Sequence, residues 1–322
     1  MKIFVTRQIP GTALEELKKV HQVEIWPGPG AIPRDVLLNK VTGAGAVISM
    51  LTEKIDSEFF DAAGPDLKIV ANYAVGFDNI DLGAAAKRNI SITNTPSHLG
   101  DSVAELTITL IMALSRRIVE SDKWMREGNY TAWDPGLFLG VDLSGKTIGI
   151  VGLGTIGLAT ARLADSVLGM KVIYAARAEK SEVAAFGWKF VKLPQLLSVS
   201  DVISMHVPLT TETRHMIGKE QLALMKPSAI LINTSRGPVI NEAELYEALS
   251  NRRIWGAAID VYENETGLAD DPIWWKMTKL SNIIMTPHIG SATEEARAEM
   301  TKIAVENVLA VLSGSPPLNP VS

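Results

Sequence analysis

The chain has 322 residues, 47% of them hydrophobic and 21% charged, which supplies two compact cores and excludes a disordered chain. A formal net charge of -5 offers no basic face to nucleic acid, and the absence of cysteine removes disulfides, thiolate nucleophiles and thiolate zinc clusters. No run approaches the roughly 20 apolar residues that span a bilayer, and MKIFVTRQIPG is no signal peptide, so these features point to a cytoplasmic protein without membrane or nucleic-acid partners.

In chain order, KIFV, VEIW, AVIS, LKIVAN and ISITN have the pattern of strands, with helices or turns in GTALEELKKV, DSEFFDAAG and LGAAAKRN between them. Short apolar runs alternating with amphipathic segments signal βαβ units in a mostly parallel sheet. From about Gly100 to Gly128 the spacing predicts one long helix. Val103, Leu106, Leu110, Ile111, Leu114 and Ile118 form its apolar face, and Asp101 and Ser102 stand at its start. A second series opens at Lys146 and runs through TIGIVG, KVIYAA, WKFVKL, DVISMHV, AILINT, WGAAIDV and NIIMTPH. The tail SGSPPLNPVS follows neither period. Two α/β domains result, with a boundary near residue 100. Periodicity leaves open whether the chain after about Pro287 returns to the first domain.

The sharpest local motif is TIGIVGLGTIGLATARLA, in which an apolar strand runs into Gly152, Gly154 and Gly157 and then into an alanine-rich helix. The first glycine permits the tight turn, the second lets backbone approach a pyrophosphate, and the third allows helix to pack on strand. Free N–H groups at the helix start then hold the diphosphate. The bland alternative is a tight turn without a ligand. An acid that bonds the ribose 2′-hydroxyl is usual at the end of the second strand, but here KVIYAAR places Ala176 and Arg177 there, with no acid before Glu179. A guanidinium can pair with a 2′-phosphate, so NADP(H) is preferred and NAD(H) remains possible. Alternatively Arg177 is a solvated surface residue.

Three polar residues follow strands in the second series: Arg236 in AILINTSRGPVI, Glu265 in AAIDVYENE and His288 in NIIMTPHIGSAT. Ligands bind at such strand ends in open α/β sheets. Reduction of a 2-keto acid needs a cation for carboxylate and carbonyl, a proton donor, and a carboxylate that favours the donor's charged form; Arg, His and Glu supply these. Taken singly, His288 could be a satisfied core histidine, and Arg236 a structural partner of Glu265 or Asp260. His206 ends a strand and lines a cofactor cleft at most, while His98, His215 and His21 suit surface or packing positions. No His or carboxylate pair recurs at metal-ligand spacing. Trp124, Trp133, Trp274 and Trp275 suit core or subunit contacts.

With these residues, and with NYAVGFDNID, NTPSHLGDSVAE, WDPGLFLGVDLSGKTIGIVGLGTIG, HVPLTTET, NTSRGPVI and TPHIGSAT in one order, the sequence resembles the D-isomer-specific 2-hydroxyacid dehydrogenase family. Within that family the likeness is to the glyoxylate/hydroxypyruvate reductases. The resemblance implies an α/β fold of two Rossmann-like domains. A dinucleotide-binding domain (100–286) is inserted into a flavodoxin-like substrate domain (1–99 and 287–322), with hinge closure and a homodimer built on the cofactor domains. It implies that His288 is the acid/base, Glu265 its partner and Arg236 the substrate anchor, with Ala74, Val75 and Gly76 at the substrate carboxylate. Leu153, Gly154, Thr155 and Ile156 would lie at the diphosphate and Ala178 beside Arg177. Val207, Pro208, Thr213, Thr234, Ser235 and Gly290 would lie around the rest of the cofactor, with Asp260 near the nicotinamide carboxamide.

Two departures stand out. Proline usually follows at Glu265, where this chain reads ETGLADDPIWWKMTKL, and Asn241 replaces the usual acid after SRGPVI. The implied activity is NADPH-preferring reduction of glyoxylate and hydroxypyruvate to 2-hydroxy acids of the D series. The alternatives are a D-lactate, 2-ketogluconate or phosphoglycerate type of dehydrogenase, or a non-catalytic dinucleotide-sensing protein.

Overall fold

A computed structural model describes residues 1–96 and 99–321, so His98 lies outside the described residues. The chain divides by its contacts into two units, Met1–Leu99 with Ser291–Ser322, and Gly100–Gly290. The second unit therefore interrupts the first.

The first unit opens with β1 (Lys2–Val5), α1 (Leu14–Val20), β2 (Gln22–Ile25), α2 (Arg34–Val41), β3 (Ala46–Ser49), α3 (Ser57–Ala63), β4 (Ile69–Asn72), α4 (Leu82–Ala86) and β5 (Ser91–Thr93). The strands form one parallel sheet in the order β2-β1-β3-β4-β5. Helices cover both faces, so the strands read as continuous apolar runs and not as alternating ones. Within β3, Ala46 and Ile48 enter one core, and Val47 enters the other with Phe4 and Phe59. The helices α3 and α4 start at carboxylates that accept from the first turn, Asp56 from the N–H of Phe59 (3.1 Å) and Asp81 from that of Ala84 (2.9 Å).

The second unit runs through α5 (Leu99–Ser115), α6 (Ile118–Arg126), β6 (Thr147–Val151), α7 (Thr155–Ser166), β7 (Lys171–Ala175), β8 (Lys189–Phe190), α8 (Leu193–Val199), β9 (Val202–Met205), α9 (Lys219–Leu224), β10 (Ile230–Asn233), α10 (Glu242–Ser250), β11 (Gly256–Ile259), α11 (Pro272–Met277) and β12 (Ile283–Met285). Its parallel sheet has the order β12-β11-β10-β9-β6-β7-β8. The strand order reverses between β6 and β9, the switch point at which open sheets bind ligands. Along β10, Ile230 and Ile232 pack into one core while Leu231 packs into the other. The period of 2 is real, but it is hidden because both faces are apolar.

The single helix expected over 100–128 is instead two. Arg117 takes a left-handed conformation (φ 54°) and separates α5 from α6, so Ile118 is exposed and does not continue the apolar face. The helix also starts at Leu99, which places Asp101 in its first turn. After Gly290 the chain forms α12 (Glu294–Leu312), capped by Thr293, and packs against α1 and the strands of the first sheet. Tyr73 Oη donates to the Arg297 carbonyl (2.7 Å) and Thr301 Oγ1 to that of Pro10 (2.6 Å), fastening α12 to the first unit. Among the described residues no helix is long and apolar enough to cross a membrane.

Candidate active site

The glycine turn lies where β6 meets α7, at the reversal of strand order. Gly152 has φ 96°, and a Cβ there would stand 2.6 Å from the His206 carbonyl oxygen. A Cβ on Gly157 would overlap the Gly152 carbonyl oxygen, whereas one on Gly154 would meet nothing within 4 Å. The first and third glycines are thus required by the fold itself, and the second leaves an open cradle. Helix α7 starts directly beyond it at Thr155, with Gly154 as its cap. Open space over a helix start suits a diphosphate, so the residues present fit a dinucleotide.

Around this turn, Leu153 is buried, Gly154 and Thr155 are exposed and Ile156 is partly covered. Ala176 is partly covered at the end of β7, and Arg177 and Ala178 are exposed. Val207 and Pro208 follow β9, and Thr213 Oγ1 closes their loop by donating to the Pro208 carbonyl (2.6 Å). His206 shares a hydrogen bond with Ser204 Oγ (2.8 Å), and burial pushes its imidazole down to about 3. It is therefore a neutral wall of this region and no cation for a phosphate. Thr234 is buried with its hydroxyl against Thr107 Oγ1 at 2.9 Å.

The acid–base residues stand on three successive loops at the carboxyl ends of β10, β11 and β12, which are neighbours in the sheet. The imidazole of His288 meets both carboxylate oxygens of Glu265 through Nδ1, each at 2.9 Å. A proton on Nδ1 is fixed by that contact, which leaves Nε2 as the reacting nitrogen. Both side chains are about three-quarters covered, with 26% and 22% exposure. On the neighbouring loop Asn233 shapes the turn that carries Arg236. Its Oδ1 accepts from Ser235 N–H (3.1 Å) and Oγ (2.9 Å), while its Nδ2 donates to the Arg236 carbonyl (3.0 Å). Gly237 then presses on the Tyr262 carbonyl, where a Cβ could not fit. This close approach packs the Arg236 turn against the loop that leads to Glu265.

Asp260 is fully buried, and its two oxygens are engaged by the loop that carries His288. Oδ1 accepts from Thr286 Oγ1 (2.6 Å) and Ile289 N–H (2.9 Å), and Oδ2 from Gly290 N–H (2.8 Å). Burial pushes its carboxyl up, while these bonds pull it down. Sequence spacing did not disclose this role, because a carboxylate that ends a strand looks the same whether it faces a ligand or its own backbone. Asn241 is the cap of α10, accepting from Glu244 N–H at 3.1 Å. The departure after Glu265 forms a 3-10 turn, Leu268–Asp270, and then α11, whose first N–H groups are capped by Asp271. Trp274 and Trp275 pack edge to face there, with ring centroids 4.7 Å apart.

On the first unit, Ala74 is buried and Val75 exposed beyond the end of β4. The carbonyls of Val75 and Gly76 accept from Asn94 Nδ2 (2.7 Å) and Asn72 Nδ2 (2.9 Å). Among the described residues their N–H groups meet no acceptor. An anion is the natural ligand of such a turn.

Comparison with known proteins agrees with this arrangement. Residues 108–290 match the NAD binding domain of D-isomer specific 2-hydroxyacid dehydrogenases. The chain is 46% identical over 326 residues to a glyoxylate reductase of Thermococcus litoralis, covering 100% of this chain and 96% of that protein. Its fold superposes on the TT0316 protein of Thermus thermophilus with a TM-score of 0.93 at 42% identity, covering all of both chains. It superposes on a D-lactate dehydrogenase of Aquifex aeolicus, solved with NAD and lactic acid, with a TM-score of 0.86 at 29% identity, covering 98% of this chain and 96% of that one. With a dinucleotide cradle at the β6–α7 turn and a His–Glu pair on loops adjoining the one that carries Arg236, the chain belongs to the D-isomer-specific 2-hydroxyacid dehydrogenases, enzymes that work with a nicotinamide cofactor.

Proposed function

We propose that the chain is an NADPH-preferring reductase of glyoxylate and hydroxypyruvate. The observation that carries this reading is the two-oxygen grip of Glu265 on His288, on loops adjoining that of Arg236, in a chain 46% identical to a glyoxylate reductase. Arg236 holds the carboxylate of the keto acid and polarises its carbonyl. The reduced nicotinamide supplies hydride to C2 when bound. His288 gives the proton on Nε2 to the developing alkoxide, while Glu265 balances the imidazolium charge. In the first unit, the N–H groups of Val75 and Gly76, which follow the buried Ala74 in the chain, are donors suited to a carboxylate. The reaction run backwards oxidises 2-hydroxy acids of the D series.

The NADPH preference rests on Ala176 and Arg177 at the end of β7, where a carboxylate would repel a 2′-phosphate. Gly152 to Gly157, with Ala178, Val207, Pro208, Thr213, Thr234, Ser235, Asp260 and Gly290, complete the proposed surroundings of the cofactor. We further propose a homodimer built on the second unit.

Steady-state assays with NADPH and NADH against glyoxylate, hydroxypyruvate, pyruvate, 2-ketogluconate and 3-phosphohydroxypyruvate test the proposal. Glyoxylate and hydroxypyruvate should give the highest kcat/KM with NADPH. No NADPH oxidation with any of them would refute the reductase, and a higher kcat/KM with NADH would refute the role of Arg177. Ala176→Asp should lower kcat/KM for NADPH about tenfold or more, the worth of one charge-assisted contact.

A further inference from the structure

The chemistry above leaves the buried carboxyl group of Glu242 unused. Glu242 opens α10, a place where a glutamate is ordinarily solvated, yet it is only 5% exposed. Its backbone N–H donates to Glu263 Oε1 at 3.0 Å, and the N–H of Glu263 donates to Glu242 Oε1 at 2.7 Å. The two glutamates thus hold each other by paired bonds, each side chain accepting from the other's backbone. The second oxygen of Glu263 meets His215 Nε2 at 3.1 Å, and His215 N–H donates to the Pro238 carbonyl at 2.7 Å. Pro238 follows Gly237, which lies against the Tyr262 carbonyl. Four segments are joined in this way: the Arg236 turn, His215, the start of α10 and the loop Tyr262–Glu265. Glu263 is two residues from Glu265, so the clamp sets where that loop begins.

The same group bears on the charge of the site. Glu263 and Glu265 from the β11 loop and Asp271 from the start of α11 all face Glu242, and burial together with these charges pushes its carboxyl up to about 7. Tyr262 is shifted upward by burial, with Asp260, Glu242 and Glu265 around it. Of the basic residues on the packed elements, His215 meets Glu263, Lys276 of α11 lies over the Tyr246 ring at 5.6 Å, and Lys219 of α9 donates its backbone N–H to Glu244.

We propose that Glu242 is a positioning residue for keto-acid reduction: through its paired bonds with Glu263 it fixes the loop that presents Glu265 to His288, and its carboxylate adds a negative charge that faces Glu265. The proposal rests on the reading of His288 as the proton donor. Reduction requires a protonated His288, so turnover falls as pH rises. A negative charge at Glu242 faces Glu265, so it should favour the cationic form of the proton donor and extend turnover to higher pH. Neutralising the charge must therefore move the alkaline limb to lower pH.

Two variants separate the clamp from the charge. Glu242→Gln keeps Oε1 as acceptor for the Glu263 N–H and removes the charge. Its kcat on the acid plateau should stay within about twofold of the parent, with the alkaline limb displaced by about half a pH unit or more to lower pH. Glu242→Leu removes the acceptor. It should lower kcat about tenfold and leave the Kd for NADPH within about twofold, because the cradle at β6–α7 is untouched. Hydrogen exchange at the Glu263–Glu265 amides, read without substrate, should quicken in Glu242→Leu and not in Glu242→Gln. An unmoved alkaline limb in Glu242→Gln, or unchanged exchange in Glu242→Leu, overturns the proposal. Should the leucine variant fail to fold, the pH profile of the glutamine variant decides. A parent inert toward every keto acid would refute the reductase reading, and the exchange measurement would still decide the clamp.

Discussion

His288 adopts the left-handed conformation at φ 53°, which is costly by roughly 1–2 kcal/mol for a residue with a Cβ. Its neighbours hold it there: its own N–H donates to the Thr286 carbonyl (3.1 Å), and the next two N–H groups donate to the buried carboxylate of Asp260. The imidazole is thereby aimed by backbone constraint before Glu265 engages it. Replacing His288 by alanine removes the proton donor but none of the bonds that shape the loop. Turnover should fall by about 10²–10⁴-fold, the usual worth of general acid catalysis, with NADPH affinity and melting temperature close to those of the parent. Stopped-flow reduction and fluorescence titration measure the two separately. Retained turnover would assign the proton to another group. At this scale the sequence singled out Arg236, Glu265 and His288 as candidates because each follows a strand. It could not disclose Glu242 or Glu263, since their burial depends on how α10 meets the β11 loop, a contact between segments with no shared period.

At the scale of elements, the β6–α7 turn shows how one motif divides between folding and binding. The three glycines look alike in sequence, yet their surroundings differ. Gly157 lies under the Gly152 carbonyl, while Gly154 faces open space. Gly157→Ala must push strand and helix apart and should cost about 1–3 kcal/mol, read as a lower melting temperature. Gly154→Ala should melt with the parent and bind NADPH several-fold more weakly, because its methyl group occupies the cradle. Equal melting temperatures for the two variants would contradict the packing role of Gly157. Strands were legible wherever apolar runs were long, from β1 to β12, although WKFVKL contributes only the two residues Lys189–Phe190 to the sheet. Helix α2 escaped notice because its stretch, RDVLLNKV, is short and buries only Leu37 and Val41. The break at Arg117 was hidden for a different reason: a single left-handed residue leaves no mark on composition.

For the whole molecule, the two parallel sheets followed from alternation alone, whereas the return of the chain through α12 did not. That helix packs on a sheet formed some 200 residues earlier in the sequence, and local periodicity carries no information about so distant a partner. Surface chemistry speaks to the remaining level of organisation. Helix α6 buries no residue, and Ile118, Val119 and Met125 lie exposed on it. The segment that follows is fastened beside it by Trp124 against Tyr130 and Phe138 and by Arg117 over the Phe138 ring. It exposes Tyr130, Trp133 (79%) and Leu139 (63%). A groove of about 960 Å³ runs along the outer edge of β12, lined by Leu114, Trp124, Phe138, Trp255, Ile283 and Met285. Monomers seldom expose so many large apolar side chains along one stretch of chain, and a twofold dimer is the commonest way to cover them. Light scattering at micromolar concentration should therefore give twice the chain mass. The double variant Ile118→Asp, Leu139→Asp should give the single mass while its melting remains cooperative, since neither side chain belongs to a core. A parent that scatters as a monomer would refute the dimer. A variant that stays dimeric would move the interface away from α6, to a surface that buries neither Ile118 nor Leu139.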